Sequence, residues 1–394
     1  MNTEIKNFEF KGGLQKLSLS LMAVGALALI ASFSLDHTVG WVDYLVNTVF
    51  FVTMSVSGLF FLSITGVLQA SWLTPMKRIP ESMTKFLPIG FILMLAVYFG
   101  MHTIYEWTHT EMVMNDPILS QKTAWLNVPG FMIRMVIIFA VWMFFSWRQR
   151  AISAETDANP EGYNVKKVMA TSSIGIIGFA LAICVAAFDW VMSIEPHWFS
   201  TIFGVYIFAG SFVSGMAFIT ITTIKLREWG YFQGYITDNH LHDLGKFLFG
   251  FSVFWAYIWI SQYLLIWYAN IPEETMYYVD RHHHWGAVFW INLGLNFIAP
   301  FFLLMSRPAK RNPKRLLLVC SILFVGHFVD LYLMVAPKIF HHHGAHLKGF
   351  GIIQLLEWLG FFGLFIFVVG KALSKVKLAP TGDPQLEEGL HLHQ

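Results

Sequence analysis

Seven ionisable side chains lie inside long apolar stretches of the sequence, where a lipid bilayer would surround them. Some are grouped: His102 and Glu106 lie four residues apart, and His327 and Asp330 lie three apart. On a helix, residues at these spacings share one face. A charged group at the centre of a bilayer costs about 2.5–3.5 kcal/mol on insertion scales, so each one needs a partner or a function. The candidates for chemistry are His102, Glu106, Arg134, Asp189, His327, Asp330 and Glu357.

The composition of the 394-residue chain indicates a membrane protein, because 56% of its residues are hydrophobic and only 13% are charged. Soluble domains carry about 25% charged residues. Hydropathy predicts ten transmembrane helices, each near or above the roughly 20 residues that cross a bilayer. Their predicted ranges are about 14–34, 42–70, 86–107, 126–147, 168–193, 198–224, 244–268, 285–306, 315–336 and 349–370. We therefore predict an all-α integral membrane domain over residues 1–373 and a disordered cytoplasmic tail over 374–394.

The basic residues lie almost entirely on one side of this topology. Of the 26 Lys and Arg residues, the exceptions are Lys122, Arg134, Arg281, Lys338 and Lys348. Cytoplasmic links are enriched in Lys and Arg, so both termini are expected in the cytoplasm. The same parity favours a retained first helix over its alternative, a cleaved signal peptide.

We expect helices 2–5 and helices 6–9 to form two four-helix bundles, flanked by helices 1 and 10. In the first bundle His102, Glu106, Arg134 and Asp189 can meet. In the second, His327 and Asp330 face the interior and Glu357 approaches from helix 10. A histidine beside a carboxylate suits proton transfer or quinol binding, because both groups accept protons from a reduced ring.

Other interpretations of these residues remain open. A buried His–carboxylate pair is sometimes only a hydrogen bond that holds helices together. Asp189 lies near a helix end, where it could act as a cap. His102 and His327 could be the axial ligands of one haem, although haem-binding membrane subunits usually place more histidines on facing helices. At the basic side, His240, His242 and Asp243 are candidates for proton uptake, with a solvated helix start as the alternative.

No metal site is predicted within this chain. Cys184 and Cys320 stand alone in apolar runs, and no c-type haem attachment motif is present. The triplets His282–His284 and His341–His343 are interpreted as hydrated interface or partner contacts, with metal binding as the alternative. No feature of the sequence predicts binding to nucleic acid.

Two long runs carry a family resemblance. They are Phe188–Thr201, FDWVMSIEPHWFST, and Gln262–Thr275, QYLLIWYANIPEET. Both resemble the smaller of the two polysulfide-reductase-type (NrfD-like) membrane subunits of bacterial alternative complex III, and the likeness extends over nearly the whole chain.

This resemblance implies a place in a quinol-oxidising respiratory complex of the bacterial inner membrane. It implies four kinds of partner: a sister ten-helix NrfD-like subunit, a periplasmic iron–sulfur protein, multihaem cytochrome c subunits and lipids. A terminal oxidase is a further possible partner. The complex would carry its iron–sulfur clusters and c-type haems on other subunits, so no cofactor is expected on this chain alone. The sister subunit would hold the main quinol site, and a vestigial pocket at His102 and Asp189 could take quinol or lipid.

The sequence therefore predicts a subunit of a quinol:cytochrome c, or other periplasmic acceptor, oxidoreductase. It would contribute a buried proton pathway and a core scaffold and would not be catalytic alone. The first alternative is a purely structural scaffold that docks the periplasmic iron–sulfur subunit. A secondary transporter ranks low, because matching spans lack the paired Gly/Pro interruptions of broken helices.

Overall fold

The computed structural model describes residues 7–232, 234–343 and 351–392, and these residues contain helices but no strand. Ten of the helices are long and apolar enough to cross a membrane, which confirms the predicted all-α integral membrane fold. We number them α1 (Gly13–Leu35), α2 (His37–Leu68), α3 (Arg78–Ile104), α4 (Val128–Ala158), α5 (Val165–Ile194), α6 (Phe203–Glu228), α7 (Asp238–Ala269), α8 (Pro272–Leu304), α9 (Pro313–Phe340) and α10 (Ile352–Leu373).

The helices pack as two rings that share a central wall. Helices α2–α5 form one ring and α6–α9 the other, as predicted, and the rings meet where α2 contacts α6 and α9. Helix α2 is the most enclosed, because 94% of its most apolar 18-residue stretch is buried, and α6 follows with 72%. Helices α2, α6 and α9 therefore form the centre of the molecule.

Helices α1 and α10 form a close pair against the side of this core. Gly25 of α1 lies against Gly360 of α10, and a Cβ atom on either residue would overlap the backbone of the other. Small residues at such contacts allow helix backbones to approach closely within a bilayer. The two helices thus pack against one another, whereas the sequence indicated only that they flank the bundles.

Loops divide the molecule into two ends. The basic end carries links 69–77, 159–164, 229–237 and 305–312, and the opposite end carries Asp36, links 105–127 and 195–202, and Asn270–Ile271. At the opposite end, α1 and α2 are joined by Asp36 alone, whose carboxylate accepts the backbone N–H of Thr38 at 2.8 Å and so caps α2. This use of Asp at a helix N-terminus satisfies N–H groups that have no partner inside the helix.

Three helices depart from regular α-geometry in ways that hydropathy does not reveal. Helix α8 begins at Pro272, well before the predicted residue 285, because an amphipathic segment precedes a kink at Trp285. It also contains a π-helical turn at Gly294–Ile298. Helix α3 ends at Ile104, and Tyr105 is extended, so the predicted helix to residue 107 stops short. Helix α5 ends in a 3₁₀ turn at Met192–Ile194.

The C-terminal tail, for which the sequence predicts disorder, packs on the folded core in its described part, which ends at residue 392. It contains a short helix, Leu386–Leu390, that packs on the link after α2. Asp383 pairs with Lys77 at 3.0 Å, and the Gly389 carbonyl lies 2.9 Å from Nε2 of His240. The prolines and glutamates of the tail suggested disorder, whereas the Gly389 carbonyl and the Asp383 carboxylate have partners on the folded core.

Removing the tail is expected to loosen the basic end locally. A chain that stops at residue 378 loses the carboxylate that pairs with Lys77 and the carbonyl beside Nε2 of His240. A buried polar atom left without a partner, as Nε2 of His240 would be, costs about 1–3 kcal/mol. Hydrogen exchange should therefore accelerate in Ser71–Met76 and at the start of α7. Glu388→Gln, which changes an exposed tail residue, is the control. Unchanged exchange in the truncated chain would contradict the packing of the tail on the core.

Candidate functional site

The principal polar cluster lies inside the α6–α9 ring around Asp330, and each of the four helices contributes one residue. The Asp330 carboxylate accepts Tyr206 Oη at 2.5 Å and Asn292 Nδ2 at 2.7 Å on Oδ1. It accepts Trp255 Nε1 at 2.9 Å on Oδ2. Asp330 is 2% exposed. We call Tyr206, Trp255, Asn292 and Asp330 the Asp330 cluster.

The π-helical turn of α8 adjoins the amide side of this cluster. Asn296 lies inside the turn and donates to Asn292 Oδ1 at 2.6 Å, so the two amides form a chain that ends on Asp330. Single π-turns in membrane and soluble helices often occur at functional sites. The π-helical turn thus holds Asn296 where it can orient Asn292, the residue that donates to Asp330.

His327 lies one helical turn from Asp330 and is buried, but the two side chains do not share a hydrogen bond. Within the described residues, neither ring nitrogen of His327 has a hydrogen-bond partner. The ring packs edge-on against Trp255, with centroids 5.5 Å apart. A Cβ atom at Gly210 would lie 3.3 Å from Nδ1, so the glycine leaves room beside the imidazole. His327 therefore lies beside the Asp330 cluster, as predicted, and its imidazole can bond to water or to a bound group.

A second cluster, which the sequence did not reveal, connects the Asp330 cluster to the opposite end. Arg281 of α8 is 3% exposed and pairs with Glu195 at 2.7 Å through Nη2. Its Nε donates to the Leu333 carbonyl at 2.9 Å and its Nη1 to the Tyr277 carbonyl at 2.7 Å. Hydropathy placed Arg281 in a loop, because the amphipathic start of α8 is not apolar enough to register as a span.

A small cavity of about 20 Å³ separates Arg281 from Asp330, and both line it. A volume of this size holds about one water molecule. Its remaining polar lining comes from Gln262, Asn292 and tyrosine hydroxyls, and Gln262 bonds Tyr278 Oη at 3.0 Å and Ser200 Oγ at 3.0 Å. Polar groups therefore continue from the buried carboxylate to the link after α5.

The α2–α5 ring contains a compact ion pair between Arg134 and Asp189. Arg134 Nε lies 2.5 Å from Asp189 Oδ2, and Trp125 Nε1 donates to Oδ1 at 2.9 Å. The guanidinium also covers the Trp125 ring at 4.3 Å from its centroid. Asp189 is 1% exposed, so it is a buried ion-pair partner and not a capping or snorkelling residue.

His102 and Glu106 do not join this pair, which corrects the predicted four-residue cluster. Because α3 ends at Ile104, Glu106 lies beyond the helix and pairs with Lys338 at 3.2 Å. His102 is exposed and bonds Thr108 Oγ1 at 3.0 Å. Both line a cavity of about 10 Å³ that does not include Asp189, so the vestigial quinol pocket predicted at His102 and Asp189 is not formed between them.

Glu357 also lies apart from the cluster predicted for it. Its carboxyl group is buried beside Asp43 of α2, and it is not among the hydrogen-bond partners of Asp330. Sequence gives the depth of a residue along a helix but not the direction in which it points. Asp43 itself was missed, because it falls at the predicted start of its span and has no neighbouring polar motif.

At the basic end, the residues predicted for proton uptake have structural roles. His240 Nδ1 accepts the backbone N–H of Thr237 at 3.1 Å in a capping box at the start of α7. Asp243 pairs with Lys246. His242 lies between them in sequence on the same first turns. None of the three lines the cavity of about 50 Å³ that lies at this end between α2, α4, α5 and Gln385.

The histidine triplets show no metal site in the part of the chain that is described. No three His, Cys, Asp or Glu side chains of those residues form a metal-binding group. His282 packs near Phe289 and Trp290, whereas the side chains of His341–His343 lie outside the described atoms. Cys184 and Cys320 are both free thiols.

The link between α3 and α4 carries the clearest electrostatic effect outside the spans. Backbone N–H groups, first that of Leu119, lower the pKa of Asp116, and His197 adds to this at 2.5 Å. Partial burial lowers the pKa of Lys122, whose ammonium donates to the Pro196 carbonyl at 2.6 Å. These contacts fix the link against the turn that follows α5.

Fold and site together define a multi-pass membrane protein with buried carboxyl groups held between its helices. No protein-family model matches the chain, and no curated protein sequence matches it.

Proposed function

We propose that this chain is a membrane subunit of a quinol-oxidising respiratory complex and that it carries protons through the α6–α9 ring. The observation that carries the proposal is the file of polar groups from Asp330, past a water-sized cavity, to Arg281 and Glu195. A carboxylate inside a membrane bundle is costly unless it is used, and such groups recur in proton relays.

The chemical role of each group follows from its contacts. Asp330 is the buried proton acceptor, and the Tyr206 hydroxyl at 2.5 Å is its closest donor. Water in the cavity would pass a proton between this cluster and Glu195, whose side chain is 12% exposed. Arg281 holds Glu195 in place and keeps a positive charge beside the route, which gives the ionised carboxylates a counter-charge.

The respiratory assignment rests on the sequence resemblance to the smaller NrfD-like subunit of alternative complex III, called ActF. In this proposal electrons leave quinol at a sister ten-helix subunit and pass to an iron–sulfur protein and multihaem cytochromes. The host membrane is the bacterial inner membrane. The basic end then faces the cytoplasm, because Lys and Arg accumulate in cytoplasmic links.

A variant series in the assembled complex tests this function. His327→Gln, Asp330→Asn and Glu357→Gln are compared in liposomes for quinol oxidation and for proton release. We expect Asp330→Asn to slow proton release most, with oxidation slowed in parallel where the two are coupled. Glu388→Gln, an exposed tail change, is the control. Unchanged oxidation and proton release in all three variants would show that none of these residues carries protons during quinol oxidation.

A purely structural scaffold is the second candidate, and one observation favours it. Asp330 has a donor on each oxygen, and Arg281 is bonded through all three of its nitrogens. Fully paired polar groups can hold helices in register without carrying protons. The variant series separates the two, because a scaffold role predicts lower stability with an unchanged ratio of protons released to quinol oxidised.

A further inference from the structure

Two buried carboxyl groups face each other where the α1–α10 pair meets the core. Asp43 of α2 is 1% exposed, and Glu357 of α10 is fully buried. The two groups interact electrostatically, and both lie beside Ser32 of α1. This pair lies outside the polar route proposed above, because neither residue bonds to Asp330 or lines the cavity beside Arg281.

The hydrogen-bond donors around the pair are distributed unequally. Ser32 Oγ donates to Asp43 Oδ2 at 3.1 Å, and Gln354 Nε2 donates to the same oxygen at 2.8 Å. The Tyr332 hydroxyl of α9 lies beside this carboxyl group as well. In contrast, neither oxygen of Glu357 has a hydrogen-bond partner among the described residues. Asp43 is thus surrounded as an anion would be, and Glu357 is not.

The described residues around the pair supply no compensating positive charge. Among the described residues, the side chains that act on the two carboxyl groups are Ser32, Gln354 and Tyr332, none of which is basic. Two adjacent carboxylates in a buried site cannot both be ionised without a large cost, so one retains a proton. The unequal donors decide which one: Asp43 carries the charge and Glu357 carries the proton.

We propose that Asp43 and Glu357 form a proton-binding site that holds one exchangeable proton between α2 and α10. The proton resides on Glu357, and the unpartnered Oδ1 of Asp43 is the acceptor available to it. The site is separate from the proposed proton route and does not depend on quinol oxidation, since it is a property of the resting chain.

A metal ion fits this site less well than a proton. Within the part of the chain that the structure describes, three carboxyl oxygens have no hydrogen-bond partner, namely Oδ1 of Asp43 and both oxygens of Glu357. Calcium takes about 6–8 oxygen ligands and magnesium about six. The N–H of Gln354 and the O–H of Ser32 also point at Asp43, where their positive ends oppose a cation. The donors therefore favour a shared proton.

Infrared difference spectroscopy of the full chain in lipid nanodiscs tests this site without quinol or partner subunits. We expect a carbonyl band of a protonated carboxylic acid that shifts in D₂O and disappears in Glu357→Gln. Asp43→Asn should keep the band and move its frequency, because the acceptor of the proton changes. Glu106→Gln, which alters the carboxylate paired with Lys338, is the matched control and should leave the band unchanged.

Several outcomes would overturn the proposal. One is a Glu357→Gln spectrum that retains every protonated-carboxyl band of the parent chain. Another is a band that responds to added Na⁺ at constant pH, which would identify a metal-ion site. If Glu357→Gln does not fold, Asp43→Asn alone decides, because an unmoved band would exclude a shared proton. The infrared experiment measures the resting chain, whereas the Asp330 variants are measured during quinol oxidation. A negative infrared result therefore does not contradict the proposed function, and unchanged proton release in the Asp330 variants does not contradict this site.

Discussion

Replacing Arg281 with Met is expected to lower the free energy of unfolding by about 3–5 kcal/mol, the usual cost of removing one partner of a buried ion pair. Arg281 is 3% exposed, and its guanidinium bonds Glu195 and the carbonyls of Tyr277, Leu333 and Met334. Methionine fills similar space but leaves a largely buried carboxylate and three carbonyls without their donor. Thermal or denaturant unfolding in detergent, followed by tryptophan fluorescence, measures the loss.

The matched control is an exposed ion pair of the same type at the basic end. Arg227 pairs with Asp238 at 2.8 Å, and the two side chains are 34% and 54% exposed. Such surface pairs contribute about 0–1 kcal/mol, so Arg227→Met should change stability little. The double variant Arg281→Met with Glu195→Gln should cost less than the sum of its parts, because the stranded carboxylate is removed. Equal losses for the two Arg variants would contradict the buried network.

The sequence was sufficient for the topology because a bilayer imposes a one-dimensional constraint. Length and hydropathy located all ten spans, and the charge bias sorted the loops into two classes. Arg281 shows where that constraint ends. Arg281 lies on the amphipathic start of α8, where charged residues lower the mean hydropathy. Hydropathy therefore predicted that the span begins at residue 285, which left Arg281 in a loop.

The clusters were predicted less well because hydropathy fixes depth but not rotation about the helix axis. Arg134 and Asp189 were correctly paired, since both lie in one ring at similar depth. Glu357 was assigned to Asp330, although α10 turns it toward Asp43. The spacing of His102 and Glu106 predicted that they share one helix face. Because α3 ends at Ile104, Glu106 is not on the helix and the spacing does not apply.

Sequence analysis did not single out the donors that surround Asp330. Tyr206, Trp255 and Asn292 reach Asp330 from three different helices, and neither aromatic donor stands out in an apolar stretch. A polar residue such as Asn292 within a span is a usable signal. Aromatic donors are not, because Trp and Tyr are common throughout this chain and mostly serve packing. Only the three-dimensional arrangement identifies them.

Replacing Asp330 with Asn is expected to separate stability from proton transfer. An Asn oxygen can still accept from Tyr206 and Asn292, but its NH₂ group then faces the indole N–H of Trp255, which loses its acceptor. One unpaired buried donor costs about 1–3 kcal/mol, a moderate loss that leaves the protein folded. The amide cannot take up a proton, so under the proposed function proton release should slow by about 10²–10⁴-fold, the usual contribution of a positioned acid or base.

The control for this variant is Asn296→Ala, which alters the same cluster without removing a titratable group. It removes the 2.6 Å bond to Asn292 and should cost about 0.5–1.5 kcal/mol with proton release nearly unchanged. Stopped-flow detection of proton release from the reconstituted complex, beside unfolding in detergent, gives both quantities for each variant. If the two variants slow proton release equally, the effect follows from lost packing and Asp330 is not a proton carrier. If Asp330→Asn alone slows it, the carboxylate itself is required, because the two variants are matched in location and differ in their ability to hold a proton.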